Sequence, residues 1–238
     1  MDILAIDVGG THVKVLASGQ KDERGIVSGP AMTAARMVEA VKGMTADWTY
    51  EAVSLGYPGP VVHDVPFKEP FNLGKGWVGF DFAAALGRPT KIINDAAMQA
   101  LGSYEGGRML FLGLGTGLGS AMVVDGAVQP MELAHLPYAK KRTYEETVGL
   151  AALMRLGKKK WRRKVSAVIE ELSAALEPDY VVLGGGNAKL LKELPPNVRL
   201  GNNANAFIGG FRLWEEPASA PTTLARPVRA RRLKPAAQ

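Results

Sequence analysis

One unit occurs twice in this chain: an apolar strand, a glycine-rich corner carrying a threonine, and a second apolar strand. The first copy is Ile3-Leu4-Ala5-Ile6-Asp7-Val8-Gly9-Gly10-Thr11-His12-Val13-Lys14-Val15-Leu16, and the second runs from Met109 through Gly113-Leu114-Gly115-Thr116-Gly117-Leu118-Gly119 to Val124. A doubled unit of this kind calls for two related halves, each presenting a corner of backbone. Glycines let that backbone approach an anion and aim its N–H groups at it. Two such corners can hold the two ends of one phosphate chain, so the repeat points to phosphoryl transfer between facing half-molecules.

Asp7 ends its strand just before Gly9-Gly10. A carboxylate there can hold a magnesium ion or its waters beside a phosphate, Thr11 can add a hydroxyl or N–H, and Lys14 could reach in as a counter-charge. A plain hairpin with a Gly-Gly turn explains a lone copy equally well; a second copy makes that reading weaker. Gly113, Gly115, Gly117 and Gly119 fall on every second residue, leaving one face of the segment without side chains, which is expected to give a ligand access to backbone. Two familiar phosphate loops are excluded. A dinucleotide fingerprint would need glycine where Leu118 stands and a helix after it, and neither Gly74-Lys75-Gly76 nor Gly157-Lys158-Lys159 completes a Walker loop.

The composition permits this reading. With 238 residues, 47% of them hydrophobic, the chain can build one large or two small domains with real cores. No apolar stretch approaches the roughly 20 residues needed to span a bilayer, and Met1-Asp2-Ile3 leads directly into a strand, so a cytoplasmic protein without a signal peptide is expected. The absence of cysteine excludes disulfides and thiolate metal sites, and three scattered histidines make a zinc centre unexpected. A net charge of +6 suits a polyanionic ligand, although surface cations also serve solubility.

Strand and helix patterns alternate as in an α/β protein. The spacing predicts helices over 31–44, 80–86, from Ala96, and from Trp161 to Leu176. Strands are predicted over 52–56, 91–93 and 180–183, the last meeting Gly184-Gly185-Gly186. A boundary is expected near Gly106-Gly107, giving a smaller lobe over 1–106 and a larger one over 107–216. The Pro-, Ala- and Arg-rich stretch over 217–238 reads as a basic flexible tail. Asn94-Asp95 stands where a strand turns into a helix. Asp95 could there accept a proton from an attacking hydroxyl while Asn94 hydrogen-bonds the substrate, or the pair could simply cap the helix. Glu132 and His135, three apart after the turn at Asp125-Gly126, would fork onto adjacent sugar hydroxyls or form a surface pair.

Taken in order, Asp7-Val8-Gly9-Gly10-Thr11, Asn94-Asp95-Ala96, Leu114-Gly115-Thr116-Gly117-Leu118-Gly119, Glu132-x-x-His135 and Val182-Leu183-Gly184-Gly185-Gly186 resemble the ROK family of sugar kinases, over residues 3 to about 210. The resemblance implies an actin-like (ribonuclease H-like) α/β fold of two lobes around a central cleft, with Asp95 as catalytic base. It also implies that Asn94, Glu132 and His135 bind sugar hydroxyls, with Gly59 and Asn72 beside them and Glu145 or Glu146 as a further sugar contact. Glucose is the expected hexose; mannose or an N-acetylated or amino sugar is the alternative within the family. A non-catalytic or regulatory relative is the alternative outside catalysis, although regulators of this fold carry a DNA-binding segment ahead of the first strand, and none is expected here. No nucleic acid or membrane partner is expected, and a homodimer is.

The cysteine-rich zinc motif of many ROK proteins is missing, and the segment between Asp125-Gly126 and Glu132 is short. Both features resemble the polyphosphate glucokinase branch, with Ala134 where that branch carries glycine. The donor is therefore ATP, polyphosphate or both. ATP would set its adenosine near Gly184, Gly185, Gly186 and Asn187. Polyphosphate would need a cationic track, which Lys158-Lys159-Lys160-Trp161-Arg162-Arg163-Lys164 offers at an expected helix start, where positive charge is disfavoured. A solvated basic face is the alternative, and Lys140-Lys141-Arg142 and Arg229, Arg231 and Arg232 could be either.

Overall fold

The doubled unit appears as two five-stranded sheets with one and the same strand order. The computed structural model describes residues 1–139 and 141–215; Lys140 and the expected tail, with Arg229, Arg231 and Arg232, lie outside the described residues. In the first half, β1 (Ile3–Val8), β2 (His12–Ala17) and β3 (Arg24–Val27) form an antiparallel meander. It is followed by α1 (Ala34–Met44), β4 (Ala52–Tyr57), the short hairpin β5 (Val61–Val62) and β6 (Val65–Pro66), α2 (Phe82–Leu86), β7 (Thr90–Asn94) and α3 (Asp95–Ser103). The sheet order is β3-β2-β1-β4-β7, with β4 and β7 parallel to β1. β1 and β4 are central and almost wholly buried, as expected of strands covered on both faces.

The predicted helix over 31–44 begins at Ala34, because the Thr33 side chain caps it by accepting from the Arg36 N–H. Its Ala34, Met37, Val38 and Val41 fill the core beneath the first sheet with Leu4, Ile6, Val53, Leu55 and Trp77.

The second half repeats the plan with β8 (Arg108–Leu114), β9 (Leu118–Val124) and β10 (Ala127–Met131), then α4 (Tyr144–Val148), α5 (Leu150–Leu176), β11 (Tyr180–Gly184), β12 (Val198–Leu200) and α6 (Asn205–Arg212). The order β10-β9-β8-β11-β12 matches the first sheet strand for strand. The helix expected from Trp161 is preceded by a further helical segment starting at Leu150, the two separated at Gly157, whose φ of 71° and ψ of 160° are not helical. Beyond that break Trp161, Val165, Val168, Ile169 and Leu172 pack onto Leu110, Leu112, Val181 and Leu183.

The halves exchange helices. α3 lies on the second sheet, where Ala96, Ala97 and Ala100 share a cluster with Met109, Phe111, Ala121, Val123 and Val182. α6 lies on the first sheet: a Cβ at Gly210 would sit 2.7 Å from Ala5 Cβ and 3.3 Å from Ser54 Cβ. The buried Ser54 hydroxyl donates to the Gly210 carbonyl at 2.5 Å and accepts from Trp214 Nε1 at 2.9 Å. Lys91 Nζ caps the end of α6 by donating to the Leu213 carbonyl at 2.7 Å. The two exchanged helices cross backbone to backbone: a side chain at Gly102 would overlap the Asn205 carbonyl, and one at Gly209 the Met98 carbonyl. Among the described residues no helix is long and apolar enough to cross a membrane.

Candidate active site

Both glycine corners converge on the first turn of α3. Asp7 lies opposite Gly56 in the β1–β4 register, and a Cβ at Gly56 would be 3.5 Å from the Asp95 Cα, so the tip of β1 and the start of α3 are neighbours. From the other side, a Cβ at Gly119 would lie 2.6 Å from that of Ala96. The missing side chain at Gly119 therefore makes room for the helix that carries Asp95, and Gly113 pairs with Gly119 across β8 and β9. Gly117 makes room for the Glu145 carboxylate. Of the four alternating glycines only Gly115 faces open space. Packing thus accounts for two of the four glycines, Gly117 and Gly119, whose positions the sequence alone attributes to ligand access.

The first corner is braced from β3. Ser28 Oγ donates to the Gly9 carbonyl at 2.7 Å, and Ser28 N–H donates to that of Thr11 at 2.9 Å. Gly10 packs against the Asn72 side chain, which brings Asn72 to the corner; Thr11 is exposed. Lys14, opposite Asp7 on β2, is engaged by Glu23.

In the second corner Thr116 is exposed and its carbonyl accepts from the Leu150 N–H at 3.1 Å. Asn187 ties the triple-glycine loop to this corner, its N–H donating to the Leu114 carbonyl and its Nδ2 to that of Gly115, both at 3.0 Å. Gly184 is packed against the Phe111 ring and Gln99, Gly185 takes a positive φ against Leu114, and Gly186 faces open space.

Asn94 is the helix cap, one of the two readings the sequence left open. Its Oδ1 caps α3 by accepting from the Ala97 N–H at 3.1 Å, and its Nδ2 donates to the Gly59 carbonyl at 3.1 Å, drawing the 58–60 turn to the helix start. Glu132 and His135 flank a single turn of 3-10 helix, with His135 Nε2 3.7 Å from Glu132 Oε2. Both are well exposed, at 50% and 73% of their side chains.

Of the two candidate glutamates, Glu146 is committed to a capping box with Thr143. Glu145 turns to the second corner, where its Oε2 accepts from the Leu118 N–H at 3.3 Å.

The electrostatics single out two carboxyls. Burial pushes Asp7 up to about 6; nearby Lys14 opposes that rise and Glu23 adds to it. Asp95 is pushed up to about 7, first by burial and then by the charge of Asp7, with a smaller contribution from Glu132. Its hydrogen bond from the Ala96 N–H, at 2.8 Å, pulls the other way. Asp95 thus feels the negative charge of both Asp7 and Glu132.

Sequence reasoning missed the residues that hold this arrangement from behind. Buried Ser120 donates to the Met131 carbonyl at 2.8 Å and accepts from the Leu133 N–H at 3.3 Å, fixing the strand end that carries Glu132. Gln99 Nε2 donates to Asn203 Oδ1 at 3.1 Å, bringing the loop after β12 beside Gly184. The Glu69 carboxylate accepts from the N–H groups of Gly76, Trp77 and Val78 and so closes the loop that contains Asn72. A strand ending in Leu200-Gly201 before Asn202-Asn203 was the one available signal for the second of these.

Two sheets of equal order, exchanged helices and paired corners around a buried carboxyl define an actin-like two-lobed protein. Among known proteins, the chain is similar in fold to ROK sugar kinases and in sequence to a polyphosphate glucokinase. The structure superposes on the inorganic polyphosphate/ATP-glucomannokinase of Arthrobacter sp. strain KM with a TM-score of 0.76 and 24% identity, covering 87% of this chain and 96% of that one. It superposes on a ROK family glucokinase of Streptomyces griseus, in complex with glucose and AMPPNP, with a TM-score of 0.72 and 15% identity, covering 88% and 97%. In sequence, a polyphosphate glucokinase of Mycobacterium tuberculosis (strain CDC 1551 / Oshkosh) is 28% identical over 171 residues. That match covers 66% of this chain and 63% of the relative, so the chain spans under two thirds of the length of that relative. No family model matches the chain.

Proposed function

We propose that the chain is a hexose kinase that transfers a phosphoryl group from ATP, inorganic polyphosphate or both to the 6-hydroxyl of glucose. The observation that carries this reading is Asp95: a buried carboxyl with its pKa near 7, at a helix start between two glycine corners, raised further by the charge of Asp7. A general base is most effective when its pKa lies near the working pH. Support for sugar and donor comes from the related polyphosphate glucokinase and the polyphosphate/ATP-glucomannokinase, and from the glucose and AMPPNP bound by the Streptomyces griseus protein.

In this mechanism Asp95 takes the proton of the attacking hydroxyl while Asn94, Glu132, His135, Gly59 and Asn72 orient the sugar. The backbones of Gly9 to Thr11 and of Gly115 to Gly117 hold the terminal phosphoryl group in line. The loop from Gly184 to Asn187 receives the adenosine when ATP is the donor. The Asp7 carboxylate fits magnesium: it is a hard oxygen donor raised mainly by burial, a cation beside it would favour its charged form, and magnesium needs only one or two carboxylates when phosphates supply the rest. Asp7 would hold the ion through its waters, and the ion would neutralise charge on the donor phosphates.

The test is a panel of hexoses assayed against ATP and polyphosphate with the purified protein and with Asp95→Asn. The substitution is expected to lower turnover by roughly 10²- to 10⁴-fold while glucose binding, followed by calorimetry, persists. Turnover close to that of the unsubstituted protein would remove Asp95 from the role.

A further inference from the structure

We infer that the exposed face of α5 just beyond Gly157, formed by Lys159, Lys160, Arg163 and Lys164 with Lys158 at its start, is a binding surface for the distal phosphates of inorganic polyphosphate and determines donor choice. The inference rests on the phosphotransferase reading above and adds to it the residues that would discriminate between donors.

Three observations carry it. The first is position. Trp161, inside the basic run, is buried, and its Nε1 donates to the Val148 carbonyl at 2.7 Å; two residues on from Val148, the Leu150 N–H is bonded to Thr116 of the second corner. Arg162 Nε donates at 2.5 Å to the carbonyl of Leu190, three residues after Asn187, which is itself tied to Gly115. The run is thus anchored on one side to the corner expected to grip the terminal phosphates and on the other to the triple-glycine loop.

The second observation is cost. The break at Gly157 makes Lys158 the start of a helical segment, where the macrodipole disfavours cations. Lys159 with Arg163, and Lys160 with Lys164, are like-charged pairs four residues apart, each destabilising by about 0.2–0.5 kcal/mol. No acidic residue relieves them: the first acids after Gly157 are Glu170 and Glu171, and none of these five cations forms an ion pair among the described residues. A helix surface with nothing to gain from that arrangement in isolation gains from a polyanion.

The third observation selects among polyanions. All five cations are exposed, whereas the aromatic ring in their midst is buried, so the surface offers charge without a platform on which a base could stack. That favours an inorganic phosphate chain over a single-stranded nucleic acid, which gains much of its affinity from stacking.

The experiment compares the protein with a variant carrying Lys159→Gln, Lys160→Gln, Arg163→Gln and Lys164→Gln, using long-chain sodium polyphosphate as titrant and ATP-dependent glucose phosphorylation as a second readout. Relief of repulsion at a helix start should leave the variant at least as stable, so loss of fold is not expected. In the unsubstituted protein polyphosphate affinity should fall about 10²-fold between about 50 and about 200 mM salt, as counterion release at about five contacts requires. The variant should bind about tenfold or more weakly with a shallower salt dependence, while kcat/KM with ATP stays within about a factor of two. The inference is overturned if the unsubstituted protein does not bind polyphosphate, if the variant keeps its affinity and salt slope, if both donors suffer alike, or if oligo-U RNA of matched charge binds as tightly. If neither donor phosphorylates any hexose yet polyphosphate binding depends on the four charges, the kinase reading fails and the surface stands.

Discussion

Asp95 and Asp7 make the chemistry sensitive to protons in a defined direction. Asp95 is raised by burial and by the charge of Asp7, so the acid limb of kcat/KM, expected near pH 7, follows Asp95 and depends on the charge of its neighbour. Glu132 contributes negative charge at Asp95 as well. Glu132→Gln is therefore expected to move that limb to lower pH while raising the KM for sugar, and a pH profile of kcat/KM checks both; a limb moving to higher pH would contradict the placement. The same two groups affect stability. Their folded values, about 6 and about 7, lie above the ordinary carboxyl value of 3.8, so between these limits the folded chain binds more protons than the unfolded one. Stability must then fall as pH rises through that window. The melting temperature of the ligand-free protein should decline from about pH 4 to about pH 8, and Asp7→Asn should flatten the decline. A melting temperature that rises with pH would show that the two carboxyls are not buried as described.

At the scale of elements, the crossing of α3 and α6 brings two helix backbones into direct contact, and it depends on glycine. Gly102→Ala puts a methyl group into the Asn205 carbonyl, where backbone must yield. A loss of about 1–3 kcal/mol or more is expected, read as a lower urea midpoint. Gly43→Ala, in α1 with nothing within 4 Å of the added carbon, serves as the opposite case and should stabilise by about 0.4–1 kcal/mol. Equal effects at the two positions would show that the crossing tolerates separation.

The contrast also explains what was legible beforehand. Strands ending in glycine, the cap at Asn94 and the apolar stripe of α5 are local patterns of period two or 3.6, and the sequence displays them. Glu145 against Gly117, Ser120 behind Glu132 and Gln99 beside the loop after β12 are contacts between residues distant along the chain, and no local pattern encodes them. The alternating glycines are visible in the sequence, but the room that Gly119 leaves for Ala96 and Gly117 for Glu145 is not, because those partners belong to other elements.

For the whole molecule, equal strand orders in the two sheets give a pseudo-symmetric pair of halves, with the candidate base where the first half hands over to the second. The ROK resemblance anticipated that architecture, whereas the exchange of α3 and α6 left no trace in composition or spacing. That exchange bears on how the chain acquires its structure during synthesis. The first sheet buries Ala5 and Ser54 under residues 205–214, some 150 positions further on by the spacing of Ser54 and Gly210. A ribosome-bound chain that ends anywhere before α6 therefore presents a half-covered first sheet. Its amino-terminal half must wait for α6 to emerge before it can close, so the first sheet is expected to finish folding only with the second half rather than ahead of it.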